Sequence, residues 1–313
     1  MGDYHGSMVK RARLPLLLVL VLCVSAWGQL PVKAPELLPP ADLPAPTPPI
    51  PPQSAEEPAE AKAELIRLPR EHHGWCYLQP GAWRTLRITT ETFDTAGSSL
   101  GTSITTETET LGEVNDVHYA LESQSEVEVG GSTLRGPNRH HLLQMLTDSA
   151  DERAEVTEQP AAQINLDGRA IPCQVWRVSV ARNDRQLVYD IFYNDSVWPF
   201  VLRREVVEKS SDGSKPLSTT HESVVRSQVP VVLDGRIVTG AHIQSTTETP
   251  AGRTERLEVH AREIPGGLVS KATTEWDAEG HRVRWSTTEL VDYGTESRER
   301  RPLRRLLRRN RER

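Results

Sequence analysis

The stretch that decides the fold reads Arg87-Ile-Thr-Thr-Glu-Thr-Phe-Asp-Thr-Ala-Gly-Ser-Ser-Leu-Gly-Thr-Ser-Ile-Thr-Thr-Glu-Thr-Glu-Thr110. It is rich in threonine, contains no proline, and places β-favouring residues on both sides of the turn-type cluster Asp94-Thr-Ala-Gly97. Such a pattern is typical of a β-hairpin. Threonine is then the β-branched polar residue of solvent-facing strand positions, whereas an O-glycosylated stalk would mix proline among its threonines. The stretch therefore predicts a sheet.

The same hairpin pattern returns twice, at residues 205–222 and 271–289. In addition, Leu166-Asp-Gly-Arg169 and Leu233-Asp-Gly-Arg236 lie 67 residues apart. We interpret these recurrences as tandem hairpin modules at about residues 74–135, 164–226 and 231–293. Each Asp-Gly pair is predicted to form a hairpin turn rather than to supply a catalytic carboxylate.

Alternation of apolar and polar residues predicts about a dozen strands and no long helix. The strands are expected at residues 85–93, 102–111, 118–125, 126–134, 173–181, 187–193, 200–208, 217–225, 241–247, 256–261, 268–276 and 283–291. A large antiparallel sheet has to cover one of its faces. We therefore expect an all-β fold, a large curved antiparallel sheet or half-barrel, with a closed barrel or a sandwich as alternatives. Residues 56–68 could form a helix, and residues 138–150 a short helix or an edge element.

The two ends of the chain differ from this central part. Basic residues at 10–13 precede an apolar run and the small-residue site Ala26-Trp-Gly28, the pattern of a secretory signal peptide over residues 1–28. Eleven prolines between Pro31 and Pro58 predict an extended linker over residues 29–61. A β-rich domain at residues 62–297 and an arginine-rich tail at 298–313 complete the predicted organisation.

The tail holds nine arginines and two glutamates. Its leucines Leu303, Leu306 and Leu307 have helical spacing, which favours a basic amphipathic helix on an anionic envelope surface; a disordered tail is the alternative. The arginines expected to contact that surface are Arg301, Arg304, Arg305, Arg308 and Arg309. The chain between residues 29 and 297 is acidic, so we expect no nucleic-acid partner.

Two cysteines, Cys76 and Cys173, follow the signal segment. An even count in an exported chain favours a disulfide, which would close a loop of about 97 residues and contribute about 4–5 kcal/mol in the chain-entropy model. Two buried thiols and a mixed cysteine–histidine metal site remain as alternatives. The metal-like clusters are His72-His73 and His140-His141, which we interpret as solvated loop histidines. We therefore assign no metal site and no cofactor.

Aromatic residues are few and concentrate in the second module. They predict either plain core or a concave ligand-lining surface formed by Trp176, Tyr189, Phe192, Tyr193, Trp198 and Phe200. The chain contains no Gly-x-Ser-x-Gly elbow, no Walker loop, no Rossmann glycine pattern and no His-Glu-x-x-His motif. We therefore assign no catalytic residue and expect a protein that is not an enzyme.

Three segments carry a resemblance to a group of secreted bacterial β-rich proteins with threonine-rich hairpins. They are residues 80–92, Pro172-Cys173 after Asp167-Gly168-Arg169, and residues 198–205. The resemblance covers roughly residues 74–292 and implies export but no particular activity. In architecture alone, a long antiparallel meander in an exported chain is similar to the lipoprotein-carrier (LolA/LolB-like) half-barrel, which holds acyl chains on its concave face.

The sequence thus favours a non-enzymatic exported protein of the periplasm, the envelope or the extracellular space. Its β-domain would bind an apolar ligand such as a lipid, or a lipoprotein or other envelope component. A structural or protein-interaction module that uses polar sheet faces and the basic tail is the alternative. A hydrolase or metal-dependent enzyme is the third hypothesis.

Overall fold

The structure, a computed structural model, describes residues 67–147, 154–182, 185–211, 213 and 216–296. The predicted signal peptide, the proline-rich linker, nearly all of the helix candidate at 56–68 and the arginine-rich tail lie outside the described residues. Among the described residues, no helix is long and apolar enough to cross a membrane.

Fourteen strands form one curved antiparallel sheet, which confirms the predicted all-β fold class. The only helical element in the described part of the chain is a single 3-10 turn at Arg70–His72. The strands are β1 (Trp83–Phe93), β2 (Ser99–Val114), β3 (His118–Val129), β4 (Ser132–Arg135), β5 (Arg139–Gln144), β6 (Ala154–Leu166), β7 (Arg169–Arg182), β8 (Arg185–Tyr193), β9 (Val201–Ser210), β10 (Pro216–Leu233), β11 (Arg236–Thr249), β12 (Gly252–Ala261), β13 (Leu268–Asp277) and β14 (Arg282–Gly294).

The sheet is a meander from β6 to β14, each strand paired with the next along the chain. After β14 the next strand in the sheet is β1, the first strand in the sequence. The two strands are paired from Trp83 opposite Gly294 to Thr92 opposite Arg284. The sheet then continues through β2 and β3, and both β4 and β5 pair with β3. The first and last strands of the domain therefore lie in the middle of the sheet, and β6 lies at one edge.

The hairpins form where the sequence carries turn chemistry. In the turn after β1, Asp94 Oδ1 accepts hydrogen bonds from the amides of Ala96 and Ser98, and Gly97 has φ +81°. The turn between β13 and β14 is built in the same way around Asp277, whose Oδ1 accepts from the amides of Glu279 and His281. A short acidic side chain that satisfies the turn amides is the reason these segments reverse direction.

The two Asp-Gly pairs also form hairpin turns, as predicted. Asp167 and Gly168 join β6 to β7 with φ +51° and +76°, and Asp234 and Gly235 join β10 to β11 with φ +49° and +75°. Positive φ at both central positions is the two-residue turn whose twist matches that of a hairpin.

Two strand predictions are corrected, and one open alternative is decided. Residues 118–134 contain one long strand, β3, that turns at Gly130-Gly131 into the short β4. Of the two alternatives for residues 138–150, a short helix or an edge element, the described part of the segment has the edge element, strand β5. The sequence pattern missed β6, which carries Pro160 at an irregularity of the β6–β7 ladder; proline is tolerated there because β6 is an edge strand.

The threonines are only partly on the solvent side. Thr288, Thr273 and Thr85 are buried. The hydroxyls of Thr85 and Thr108 lie 3.0 Å apart across β1 and β2, and those of Thr220 and Thr247 lie 2.9 Å apart across β10 and β11. The prediction that threonine marks solvent-facing positions is therefore too simple, because paired hydroxyls can satisfy each other inside the curved sheet.

Residues 67–82 and 145–146 pack against strands far apart in the sheet order. Leu68 joins a cluster with Trp176 and Ile191 of β7 and β8, whereas Trp75 to Ala82 join a cluster with Leu111 and Tyr119 of β2 and β3. Likewise, Met145 packs in the second of these clusters and Leu146 against the first. These two segments therefore cover apolar side chains contributed by both ends of the sheet.

Candidate functional site

A cavity of about 360 Å³ lies where residues 68–77, the loop 194–200 and the loop 262–267 meet the sheet. The sheet contributes side chains from β1, β3 and β9–β12. One part of the lining is apolar or aromatic and includes Leu68, Trp75, Tyr119, Leu121, Met145, Trp198, Phe200, Val201, Ile243 and Ile264. Another part is charged and includes Glu71, Arg84, Arg204, Glu222, Glu258, His260 and Arg262. The volume is within the usual range of small-molecule sites.

The loop between β8 and β9 places a strained aromatic residue in this cavity. Phe200 is 6% exposed and has φ +73°, which is a true outlier for a bulky residue. The loop holds it there: the Phe200 amide donates to the carbonyl oxygen of Val197, and the Phe200 carbonyl accepts from the amide of Asn194. Backbone strain of this kind clusters at functional sites, where the surroundings enforce it.

Asn194 makes that loop rigid. Its Oδ1 accepts from the amides of Ser196 and Val197, both at 2.9 Å. Its Nδ2 donates to the carbonyl oxygen of Pro172 in β7 at 2.7 Å. The start of the loop is therefore tied to the neighbouring strand, and the conformation at Phe200 is built in by the surrounding structure.

The Phe200 ring is held by the ring of His72. The His72 ring stacks on it with a centroid distance of 3.9 Å and an interplanar angle of 20°. His72 Nδ1 also shares a hydrogen bond of 2.6 Å with the hydroxyl of Tyr193. Burial raises the pKa of that tyrosine, as do the nearby charges of Asp195 and Glu71, so its hydroxyl stays protonated.

Opposite charges are paired in the charged part of the lining. Glu222 of β10 lies directly across from Arg204 of β9 in the strand register. Glu258 Oε2 and His260 Nε2, both on β12, are 2.7 Å apart. Burial alone would raise the pKa of Glu258, but the hydrogen bond from His260 and the positive charges around it outweigh burial and lower that pKa. The carboxylate therefore stays ionised inside a half-buried site.

The loop 262–267 closes the third side of the cavity through close backbone contacts. The Gly266 amide donates to the carbonyl oxygen of Gly74 at 2.8 Å. A Cβ at Gly266, where φ is +69°, would lie 2.4 Å from Nε1 of Trp75. Arg84 joins the same contact: its Nη1 donates to the carbonyl oxygen of Pro265 at 3.2 Å, and its Nε donates to Glu109 Oε2 at 2.6 Å. Only glycine permits this approach of the two segments.

Tyr77 ties residues 68–77 to the same loop. Its hydroxyl donates to the carbonyl oxygen of Arg262. Burial raises the pKa of Tyr77 to about 12, against the opposing effect of the Arg262 charge. The Tyr77 hydroxyl therefore stays protonated and remains a hydrogen-bond donor throughout the physiological pH range.

The structure corrects the expected disulfide. Cys76 and Cys173 are both buried and are not joined by a disulfide, and they belong to separate clusters, the first with residues of β2 and β3 and the second with Leu202, Val224 and Ile243. A disulfide requires close approach of the two Cα atoms and facing Cβ atoms. Side chains packed into two different clusters do not provide that geometry.

Cys76 has a histidine partner instead. Its Sγ lies 3.0 Å from Nδ1 of His73, and that nitrogen also accepts from the amides of Trp75 and Cys76. His73 is 9% exposed and its ring lies against Tyr119, so the prediction of a solvated loop histidine is wrong for this residue.

The other histidine pair lies elsewhere. His140 and His141 are exposed on the edge strand β5 and lie outside the cavity lining. Within the part of the chain that the structure describes, only Asp277, Glu279 and His281 bring three metal-type ligand atoms within 4.8 Å of one another. Those residues already form the β13–β14 turn through their hydrogen bonds.

Of the six predicted ligand-lining aromatics, Trp198 and Phe200 line the cavity. Trp176, Tyr189 and Tyr193 are buried in the cluster beneath it, and Trp176 stacks on Tyr193 at 4.6 Å. Phe192 is half-buried and lies under the guanidinium of Arg203 at 5.0 Å. The five tail arginines named above lie outside the described residues.

Sequence reasoning missed the side of the cavity formed by residues 71–77 and 258–267. The only local signals there were the histidine pair at 72–73 and the glycine pair Gly266-Gly267, and neither indicated a ligand site. Both segments reach the cavity through contacts that are remote in sequence, such as the bond between Gly74 and Gly266.

No family model and no curated protein matches the chain. Three chains of solved structures match, among them the following two. One is a candidate exported protein with a YmcC-like fold from Bacteroides fragilis, at 10% identity and a TM-score of 0.28, covering 69% of this chain and 97% of that one. The other is a candidate lipoprotein from Parabacteroides distasonis, at 11% identity and a TM-score of 0.29, covering 71% and 98%.

Proposed function

We propose that this chain is a non-enzymatic exported binding protein that holds the apolar part of a small amphiphilic ligand in the cavity around Phe200. The single observation that carries the proposal is the strained, buried Phe200, held in place by the loop that Asn194 organises. A fold that retains such a residue offsets its cost by packing elsewhere. A binding site is a physical reason to retain it.

The mixed lining supports an amphiphile rather than a purely apolar ligand. Leu121, Met145 and Ile243 offer an apolar surface, while Glu222 and His260 add polar groups to the same lining. Burying a methylene contributes about 0.8 kcal/mol, so a chain with about eight buried methylenes would gain about 6 kcal/mol before the entropic costs of binding. That gain is appropriate for reversible binding of a single-chain lipid.

The lining also supports a non-enzymatic role. Serine, threonine and cysteine are all missing from the described residues that line the cavity, and its one histidine–carboxylate pair, His260 and Glu258, is engaged internally. A triad-like arrangement would need a nucleophile within hydrogen-bond reach of that histidine. The geometry of these lining residues therefore favours binding over covalent catalysis.

Native mass spectrometry of the purified full chain, compared with its denatured mass, tests the proposal directly. We expect an additional mass that disappears on denaturation, or one that appears after incubation with the neutral apolar probe N-phenyl-1-naphthylamine. The fluorescence of that probe gives the affinity.

Two matched variants locate the site. Val201→Phe adds a ring to a half-buried position in the lining, and Val225→Phe adds the same ring to a residue of β10 that is 40% exposed and lies outside the lining. We expect at least tenfold weaker probe binding in the first variant and wild-type binding in the second. Wild-type binding by Val201→Phe, or no binding by any form, would contradict the proposal.

A further inference from the structure

A second cavity of about 330 Å³ adjoins the first one. It is lined by Ser196, Val197, Trp198, Ser227, Gln228, Thr239, Arg262 and Glu263, and is thus more polar than the lining around Phe200. Trp198 and Arg262 line both cavities. These two side chains therefore stand at the junction between the cavity around Phe200, the inner cavity, and the more polar second cavity, the outer groove.

The three arginines of the inner cavity differ in their partners. Arg84 is bonded to Glu109, and Arg204 lies opposite Glu222 in the strand register. The guanidinium of Arg262 has no carboxylate partner within salt-bridge distance among residues 67–296 as far as the structure describes them. It is the lining arginine that remains available to an external anion.

Arg262 is also held in place at the junction. Its carbonyl oxygen accepts the hydrogen bond from Tyr77, and its guanidinium carbon lies 5.6 Å from the centroid of the Phe200 ring. A guanidinium stacked on an aromatic ring keeps its donors directed sideways, ready for a carboxylate or phosphate. The Phe200 ring also forms part of the apolar lining. Arg262 therefore places an anion-binding guanidinium directly beside apolar surface.

We propose that the ligand carries an acidic head group, which Arg262 binds at the junction while the apolar chain lies in the inner cavity. This inference rests on the proposed function and specifies its ligand class. Among the described charged residues of the two linings, Arg262 is the one that lines both cavities, since Glu71, Glu222 and Glu258 line only the inner cavity and Glu263 only the outer groove. The charge at the junction is therefore positive, which favours an anionic head group there.

The test uses four probes that share a twelve-carbon chain: dodecanoate, dodecyl phosphate, 1-dodecanol and dodecylamine. Each is titrated into the full chain as a competitor of N-phenyl-1-naphthylamine. We expect at least one acidic probe to bind tenfold or more tightly than dodecanol. A preference for the carboxylate or for the phosphate then identifies the head group.

The variant Arg262→Gln should remove that preference, so that the acidic probes bind it at least tenfold more weakly than they bind the wild type. Arg282→Gln is the matched control, since Arg282 also lies over an aromatic ring, at 4.1 Å from Phe93, and is outside the lining of both cavities. It should behave like the wild type.

The outcomes separate the two proposals. Equal affinity for dodecanol and the acidic probes, tighter binding of dodecylamine, or an acidic preference that survives Arg262→Gln would overturn this inference while leaving the binding function intact. Failure of all four probes to compete, with no binding of the naphthylamine itself, would overturn both.

Discussion

Among the described residues, three that are not glycine have positive φ, and they fall into two contrasting regions. Asp167 and Asp234, at +51° and +49°, lie in hairpin turns and each precedes a glycine. Phe200, at +73°, lies beside the cavity and has no glycine next to it. Aspartate tolerates this conformation through its short polar side chain, whereas a bulky residue does not. The turns are therefore determined by local sequence, and the loop by its surroundings.

The largest effect on stability is expected from replacing Phe200, whose positive φ is imposed by its surroundings. Phe200→Ala deletes a ring that is 6% exposed, and should cost about 3–5 kcal/mol of the free energy of unfolding. Phe200→Gly should be about 1 kcal/mol more stable than the alanine variant, because glycine adopts positive φ without strain. Urea unfolding followed by circular dichroism measures both values. Equal stability of the two variants would show that the backbone at residue 200 relaxes.

The next effect compares the leucines that precede the two Asp-Gly turns. Leu166 is buried with Cys173 and Leu202, and Leu233 is buried with Val231 and Ile264. Each Leu→Ala substitution should cost about 2–4 kcal/mol, and because the clusters are separate, the double variant should show the sum to within about 0.5 kcal/mol. Denaturant midpoints of the four proteins test this. A coupling larger than about 1 kcal/mol would mean that the two hairpin ends share one core.

The turn glycines should be equivalent. A Cβ at Gly168 or Gly235 would have no atom within 4 Å, so the cost of Gly→Ala arises only from the positive φ of +76° or +75°. We expect about 1–2 kcal/mol for each and the same value for both, measured as a shift in the urea midpoint. A clear inequality would reveal a tertiary contribution that the backbone geometry does not show.

The smallest effect on stability is expected from the hydrogen bonds that the aspartates of the two Asp-Gly turns accept from other side chains. Asp167 Oδ2 accepts hydrogen bonds from the hydroxyl and the amide of Ser227, at 2.6 and 3.0 Å, whereas Asp234 Oδ2 accepts one from the hydroxyl of Tyr293 at 3.1 Å. The bonds from Ser227 lower the pKa of Asp167. Burial, followed by the bond to Asp234, raises the pKa of Tyr293.

The pH dependence should therefore differ in sign. Because the folded pKa of Asp167 is lowered, its contribution is present above the unfolded pKa of about 3.9 and is lost as the pH falls through the folded value. The contribution of Tyr293 is present below its unfolded pKa of about 10 and is lost as the pH rises through the folded value. At neutral pH, Ser227→Ala and Tyr293→Phe should each cost about 0.5 kcal/mol, since exposed hydrogen bonds contribute little.

Unfolding curves across the pH range check this contrast. The difference between wild type and Ser227→Ala should vanish in acid, and that between wild type and Tyr293→Phe should vanish in alkali. If the effect of Ser227→Ala did not depend on pH, the hydrogen bonds from Ser227 would not favour the ionised carboxylate of Asp167. If the effect of Tyr293→Phe did not depend on pH, the hydrogen bond to Asp234 would not favour the protonated hydroxyl of Tyr293.

Much of the local architecture could be read from the sequence. The turns at Asp94 and Asp277 and the two Asp-Gly turns are set by side chains within a few residues, so their prediction succeeded. β6 was missed because Pro160 interrupts its pattern, and only the position of β6 at the sheet edge makes that proline acceptable. The disulfide was mispredicted because a cysteine count carries no information about which cluster each thiol joins.

The candidate site could be predicted only in part, since Trp198 and Phe200 were the two of six aromatics that reach the cavity. The aromatic density of β8 and its loop pointed to the region of the chain that contains these two cavity residues. The contributions of His72, Trp75 and the loop 262–267 depend on contacts such as Gly74 with Gly266, which join residues almost 200 positions apart. No local pattern encodes a contact at that separation.

By itself the sequence determined the all-β class, the hairpins and their turns, because alternation and turn chemistry act over a few residues. Only the tertiary structure decided that β1 pairs with β14, that residues 67–82 pack against both ends of the sheet, and that Phe200 takes a left-handed conformation. These features are set by burial of apolar surface contributed from distant strands. That driving force is non-directional, so the place where it brings residues together emerges only when the whole sheet has formed.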